Sequence, residues 1–293
     1  MQGSRNSSFL CFFSALAMSF IMRSCNTPRS FSKCRQLLRR SVRRLVSSTG
    51  MSLSGAVPPG GTKGEDSPAA VTPKKISSRM QRQHVNPLAP HHQVPVHLPD
   101  TWVRESFTQP QQRFVVDVGC AKGTWLMQTA ATQPDTNFLG LEIRPPMVEI
   151  ARARCERAAL TNAAFLKCNA NVDLKRILQD IAEQGAQVEL LCIHHPDPHF
   201  KKRNKKRAVV LPQLVEDIAE AVQPGTRVYL QSDVQDVAEE MNMRFVHEQF
   251  EAAEGYDAET LLTNPGPHQH PTEREVSEVS RGGQIFRMMF RRI

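Results

Sequence analysis

Asp197 stands between two prolines in the stretch His194 to Arg207, which reads HHPDPHFKKRNKKR. A proline on each side restricts the backbone and ends any preceding strand abruptly. Just upstream, VELLCI (188–193) is a short apolar run of the kind that makes a buried strand. Asp197 is thus expected at a strand's C-terminal edge, where open α/β sheets keep their ligands. Lys201, Lys202, Arg203, Lys205, Lys206 and Arg207 follow within a few residues. A carboxylate held at a sheet edge beside six cations suits work on a polyanion.

Other strand ends carry polar groups as well. FVVDV (114–118) holds Asp117 and runs into Gly119-Cys120-Ala121-Lys122-Gly123. Such a turn lets a backbone approach a ligand closely, with helix N–H groups behind it. A second strand, FLGLEIR (138–144), carries Glu142 nineteen residues after Gly123, where a nucleotide fold places the acid that receives ribose hydroxyls. A third strand ends at Asn169-Ala170, where an amide can read an adenine edge, and a fifth presents Asp233. Two ligands suit this crevice, a dinucleotide or S-adenosylmethionine. A dinucleotide sets its pyrophosphate on the turn, and an acid at position 117 opposes that. Position 121 is Ala, so the turn is not G-x-G-x-x-G. A cationic sulfonium is the better match.

These residues need a scaffold. The strands named above alternate with amphipathic stretches: TWLMQTAAT after the turn, MVEIARARCERAAL after Pro145-Pro146, then 172–184, VVLPQLVEDIAEAV (209–222) and DVAEEMNMRFVHEQF (236–250). RVYLQSD (227–233) is the fifth strand and QIFRMMFRR (284–292) the last. The alternation predicts an α/β fold with a doubly wound, mostly parallel sheet. The domain is expected over 107–293, after a linker and extended arm over 65–106 that includes RQHVNPLAPHHQVP (82–95).

Residues 1–64 read as a targeting segment. They hold 10 of the 37 basic residues and no acid; the remainder is 27 basic against 29 acidic, so the net charge of +8 belongs to the leader. CRQLLRRSVRRLVSS (34–48) has the Arg-rich amphipathic character of an organellar transit peptide. FLCFFSALAMSFIM (9–22) is long enough for a signal-peptide core and too short to span a membrane comfortably, so a secretory or two-part signal stays open, as does an internal start at Met51. No membrane anchor is expected in the mature form. Seven cysteines include no CxxC pair, and the four at 120, 155, 168 and 192 lie in or beside apolar runs. Neither a disulfide framework nor a metal site is expected.

From about Arg82 to Ile293 the chain resembles the tRNA (guanine-N7)-methyltransferase family, most closely its cyanobacterial and plant-type members. The resemblance is carried in order by RQHVNPLAP, VVDVGCAKG, FLGLEIRPP, CNAN, PDPHFKKRNKKR, LQSDV, PTERE and GGQIFRMMFRR. It implies a Rossmann-like class I fold, S-adenosylmethionine as cofactor and tRNA as substrate, methylated at the variable-loop guanine of position 46. It also implies residue roles. Asp117 and Gly119 line the methionine side, Glu142 with Arg144 the ribose, and Asn169 and Ala170 the adenine; many bacterial members carry Asp at the place of Asn169. Asp197 is the catalytic carboxylate, and Lys201, Lys202, Arg203 and Asp233 meet the substrate. Thr272, Glu273 and Glu275 belong to a late loop closing over cofactor and guanine, with Thr272 and Glu273 on the cofactor and Thr272 and Glu275 on the substrate. His194-His195 replaces an apolar pair of many relatives; a ring stacking on adenine or guanine is the expected role. Arg287, Arg291 and Arg292 extend the basic surface or are ordinary surface arginines. The resemblance favours a plastid over a mitochondrion, with cytosol or nucleus as the alternative from an internal start. It favours activity without the non-catalytic β-propeller subunit that nuclear and cytosolic relatives use. Two other readings are another Rossmann-type methyltransferase and an inactive RNA-binding relative.

Overall fold

The computed structural model describes residues 85–199, 202–266 and 270–293, with Lys202 and Arg203 by backbone alone. The expectations for the leader, for Arg82 and for Lys201 lie outside the described residues. These residues form a 7-stranded sheet: β1 (Phe114–Val118), β2 (Asn137–Glu142), β3 (Ala163–Lys167), β4 (Val188–His194), β5 (Arg227–Ser232), β6 (Phe250–Ala252) and β7 (Phe286–Arg292). Their spatial order is β3-β2-β1-β4-β5-β7-β6. The first five are parallel, and β7 runs antiparallel between β5 and β6.

The helices are α1 (Trp102–Ser106), α2 (Thr124–Thr132), α3 (Pro145–Arg157), α4 (Ala170–Glu183), α5 (Pro212–Ala221), α6 (Gln235–Phe245) and α7 (Glu273–Ser280). Prolines open α3 and α5, where a missing N–H costs nothing and φ is already helical.

The central strands are buried along their length because both faces are covered. Alternation then sorts their side chains into two cores. Val116, Leu139, Leu191, Val228 and Leu230 point to one face, and Val115, Phe138, Cys192 and Tyr229 to the other. Each fully buried Leu or Phe contributes about 1.5–3 kcal/mol by leaving water. Cys120, Cys155, Cys168 and Cys192 are buried thiols within this packing.

Two elements differ from the sequence pattern, and the core also takes in α1. The core reaches back to α1, where Trp102 and Val103 are buried and the Trp102 indole N–H donates to Asp180 Oδ2 at 2.7 Å. The helix expected to run to Phe250 stops at Phe245, and Phe250 opens β6. Residues five apart on a helix point about 140° apart, whereas the Phe245 and Phe250 rings meet at 5.3 Å in one core. The late segment expected as a loop is α7 from Glu273 onward, with Thr272 as its N-cap. Among the described residues no helix is long and apolar enough to cross a membrane.

Candidate active site

The strand order reverses between β1 and β4, and the polar residues converge at that edge. The chain leaves β1 through Gly119 (φ 85), Ala121 (φ 50) and Gly123 (φ 67). Gly119 and Cys120 donate backbone bonds to Leu141 O at 2.8 and 3.0 Å, fastening the turn to the end of β2. A side chain at Gly119 would point into open space, so the glycine serves its left-handed backbone.

Glu142 is buried at the C-terminal end of β2. Its Oε2 accepts from Ala121 N at 3.0 Å and from Arg144 Nη2 at 3.1 Å. Its Oε1 accepts from Arg144 N at 2.9 Å and Arg144 Nε at 3.1 Å. A carboxylate has about four lone-pair sites, and the chain's own donors fill them.

Beside Glu142 opens a crevice of ≈ 860 Å³, counted to its mouth, lined by Gly119, Leu141, Ile143, Arg144, Asn169 and Asp197 among others. The arm supplies one wall through Val85 and Pro87. Asn169 holds the arm there: its Nδ2 donates to Pro87 O at 3.2 Å and His92 O at 3.0 Å. Its Oδ1 caps α4 by accepting from Asn171 N at 3.2 Å. Asn169 is thus held on both sides, by the arm and by α4. It lines the crevice, but only the second lone pair of Oδ1 remains for a ligand.

Asp117 is buried near the end of β1. Its carboxylate is turned to His194, whose Nδ1 lies 3.0 Å from Oδ1, and Val118 and Gly119 form the crevice wall instead. A buried carboxylate needs a partner, and β4 supplies one. The His194 ring packs edge-on against Trp125, with centroids 4.6 Å apart. The same ring packs edge-on against Tyr229, with centroids 5.7 Å apart, and His194 and His195 both line the crevice.

His195 has a left-handed backbone, φ 45, a conformation costing about 1–3 kcal/mol that persists where surroundings over-determine it. Its Nδ1 lies 2.9 Å from Asp233 Oδ1, and its Nε2 3.0 Å from Gln231 Nε2 and 3.3 Å from Thr272 Oγ1. Asp233 also receives Arg274 through Nε at 3.0 Å and Nη2 at 2.7 Å. Burial opposes the charge on Asp233, but the bonds from Arg274 and His195 outweigh it and hold the pKa at about 2. Glu275 accepts from Gln231 Nε2 at 2.9 Å and Arg287 Nη2 at 2.5 Å. Asp233, Thr272 and Glu275 are thus joined through His195 and Gln231, beside the crevice and outside its lining. Glu273 is exposed and lines a separate shallow hollow with Gln128 and Pro271; the structure does not bring it to the crevice.

Asp197 is half-buried and lines both the main crevice and a smaller hollow beside Met241 and Lys205. The basic run forms a 3₁₀ turn over Lys202–Arg207. Arg207 turns inward to the crevice, and its buried Nε has no hydrogen-bond partner. Lys205 pairs with Glu240 at 3.3 Å. Arg287 pairs with Glu275, Arg291 with Glu251, and Arg292 donates to Ala219 O. Those three arginines brace the fold. Gln231 and Arg274 carried no role in the sequence, although both lie in stretches that stood out there, whereas Arg207 was expected among the cations facing a polyanion.

The residues present fit S-adenosylmethionine. Leu141, Ile143 and Cys168 offer an apolar slot for a purine, Glu142 lies where a ribose diol would, and Asp197 faces the same space as a partner for positive charge. Sheet order and crevice together define a class I S-adenosylmethionine-dependent methyltransferase. Residues 111–288 match a family described as "Putative methyltransferase". The tRNA (guanine-N(7)-)-methyltransferase of Thermosynechococcus vestitus is 43% identical over 212 residues, 72% of this chain and 94% of that protein. The protein of the same name from Synechococcus sp. (strain JA-3-3Ab) is 41% identical over 220 residues, 75% of this chain and 88% of the relative. Among solved structures, the 16S rRNA methyltransferase KamB is 15% identical with a TM-score of 0.45, covering 67% of this chain and 95% of that one. The chain belongs to the tRNA (guanine-N7)-methyltransferase family.

Proposed function

We propose that this protein transfers a methyl group from S-adenosylmethionine to N7 of the variable-loop guanine, position 46, of tRNA. The observation that carries the reading is Asp197, at the sheet edge in the same crevice as Glu142 and followed directly by the basic turn.

The bound cofactor supplies an electrophilic methyl group on a sulfonium. Guanine N7 offers a lone pair and no proton, so no side chain has to act as a base. The work left to the chain is alignment. The N7–methyl bond forms as the sulfur–methyl bond breaks, and positive charge arises on the guanine imidazole ring. The fixed carboxylate of Asp197 stabilises that charge and orients the base. Thr272 and Glu275 form the wall on the other side of the base, held by His195, Gln231 and Arg287. Lys201, Lys202, Arg203 and Lys206 take phosphates of the RNA backbone. In folded tRNA the target guanine is engaged in tertiary pairing, so the tRNA opens locally or flips the base to bring it to Asp197.

The protein works in a plastid, delivered by the Arg-rich segment within residues 1–64 and active without a second subunit. This placement is supported by the acid-free leader and by the cyanobacterial source of the similar proteins. The experiment is methyl transfer from labelled S-adenosylmethionine to an unmodified tRNA by the full chain alone. The site is mapped by strand cleavage at N7-methylguanine. Label at the variable-loop guanine is the expected result; label elsewhere, or none while cofactor binds, overturns the reading.

A further inference from the structure

None of the residues of α7 is buried, so no apolar face seats this helix on the sheet. It is tied down by side-chain hydrogen bonds. Arg274 forks onto Asp233, Glu275 takes bonds from Gln231 and Arg287, and the Thr272 N-cap lies 3.3 Å from His195 Nε2. His195 is the meeting point. Its ring reaches Asp233, Gln231 and Thr272, and it lines the crevice as well.

The roles of donor and acceptor are fixed from outside the ring. The Tyr229 hydroxyl donates to Gln231 Oε1 at 2.8 Å, and Glu275 Oε2 accepts one N–H of the Gln231 amide at 2.9 Å. The other N–H of that amide points to His195 Nε2 at 3.0 Å. Thr272 Oγ1 accepts from Glu275 N at 3.1 Å and keeps its own O–H for the same ring nitrogen. Nε2 therefore accepts, and the neutral ring carries its proton toward Asp233. A proton on Nε2 would set two donors face to face. Thr272 can rotate its hydroxyl and accept. The Gln231 amide cannot, and Gln231 is one of the two groups that hold Glu275. The ring cannot turn away without giving up Asp233. The charged groups that face it are Asp233 from the end of β5, Arg274 and, through Gln231, Glu275 from the α7 side, with His194 beside it on β4. Burial of the ring also works against its charged form.

We infer that His195 is a positioning residue for the RNA step: its neutral ring seats Thr272 and Glu275 as a wall for the guanine, and a proton on Nε2 unseats them. The inference rests on the methyltransferase reading above. It carries a sign opposite to that of bulk electrostatics. Added positive charge ordinarily tightens a protein on RNA, whereas this proton weakens productive binding of tRNA.

The test uses the full chain, saturating S-adenosylmethionine and an unmodified tRNA transcript. The kcat/KM for tRNA is measured from about pH 8 to about pH 5, where histidine changes charge and ordinary carboxylates stay ionised. Thermal melting at each pH establishes that the chain is folded. Affinity for S-adenosylhomocysteine, which lacks the sulfonium charge, is read alongside. For wild type, kcat/KM should fall by about three- to tenfold as the pH drops below 6.5, the scale of losing one or two net hydrogen bonds. His195→Gln should start lower at about pH 8 and stay level, so that the two curves converge at acid pH. His195→Asn, whose side chain tolerates a left-handed backbone, should behave alike and serves if His195→Gln does not fold. Affinity for S-adenosylhomocysteine should hold steady throughout. Three results overturn the inference: a wild-type kcat/KM that stays level or rises as the pH falls, a fall of equal size in the variants, or S-adenosylhomocysteine affinity lost in step with kcat/KM, which makes the ring a support of the whole crevice. A wild-type chain that methylates no tRNA guanine at any pH removes the functional reading along with the inference. Methylation accompanied by any of those three results removes the inference alone.

Discussion

His195 Nδ1 and Asp233 Oδ1 lie 2.9 Å apart, and Gln231 Nε2 approaches the other ring nitrogen at 3.0 Å. An amide NH₂ can only donate, so Nε2 of His195 accepts and its proton sits on Nδ1, facing the carboxylate. Burial, set against Asp233 and aided by His194 and Arg274, lowers the pKa of His195 below its ordinary 6.5. The folded state therefore favours the neutral ring.

The pH dependence follows with a definite sign. Stability from neutral His195 is complete above 6.5, the unfolded value, and is lost as the pH falls through the lowered folded value. Asp233 acts later, its contribution present above 3.8 and lost as the pH approaches about 2. Melting temperature should fall as the pH drops below 6.5, and His195→Gln should flatten that segment of the curve. Parallel curves for the two proteins would remove His195 from the account.

Asp197→Asn keeps the shape and removes the charge. Single-turnover methyl transfer should slow by about 10²–10³-fold, the scale for losing one preorganised electrostatic partner. S-adenosylhomocysteine affinity should change little. Near-normal turnover in this variant would end the electrostatic role.

Asn169→Asp retains the acceptor that caps α4 and deletes both donors to the arm. It also sets a carboxylate against two carbonyl oxygens. The arm should loosen by about 1–3 kcal/mol, the cost of leaving buried polar groups unpaired. Amide exchange over Leu88–Gln93 should quicken while α4 stays protected. Unchanged exchange in the arm would mean that other contacts hold it.

Gly140 lies in β2 under a crowded roof. A methyl group there would come within 2.6 Å of the Phe165 ring and 2.7 Å of Cys120 Sγ. Gly140→Ala should destabilise the protein by about 1–3 kcal/mol through overpacking. Adding Phe165→Leu should recover part of the loss, and thermal melting of the single and double variants measures both effects.

Sequence patterning reached the central sheet because that information is local. FVVDV, VELLCI and RVYLQSD are apolar runs bounded by turns, and they became β1, β4 and β5. The acids at the strand ends were equally legible, since a strand end fixes which residues share an edge. What escaped was the partner each polar group chose. His194 to Asp117 spans 77 positions and Asn169 to Pro87 spans 82, and no local pattern encodes either. α7 was hidden for a different reason: none of its residues is buried, so it carries no core-facing apolar stripe. β6 has three residues, too few for a period to register.

The position of β7 bears on how the protein is made. It follows every other described element in the chain, yet it lies between β5 and β6 and carries Arg287, which grips Glu275. While the ribosome is still adding residues 286–292, β5 has a bare edge, β6 has no neighbour, and the α7 segment lacks one of its anchors. A nascent chain at that stage can hold the parallel half of the sheet but not the finished substrate wall. Products that terminate early would then carry an open sheet edge, the kind of surface that chaperones and proteases recognise, and catalytic competence would arrive only with the last strand.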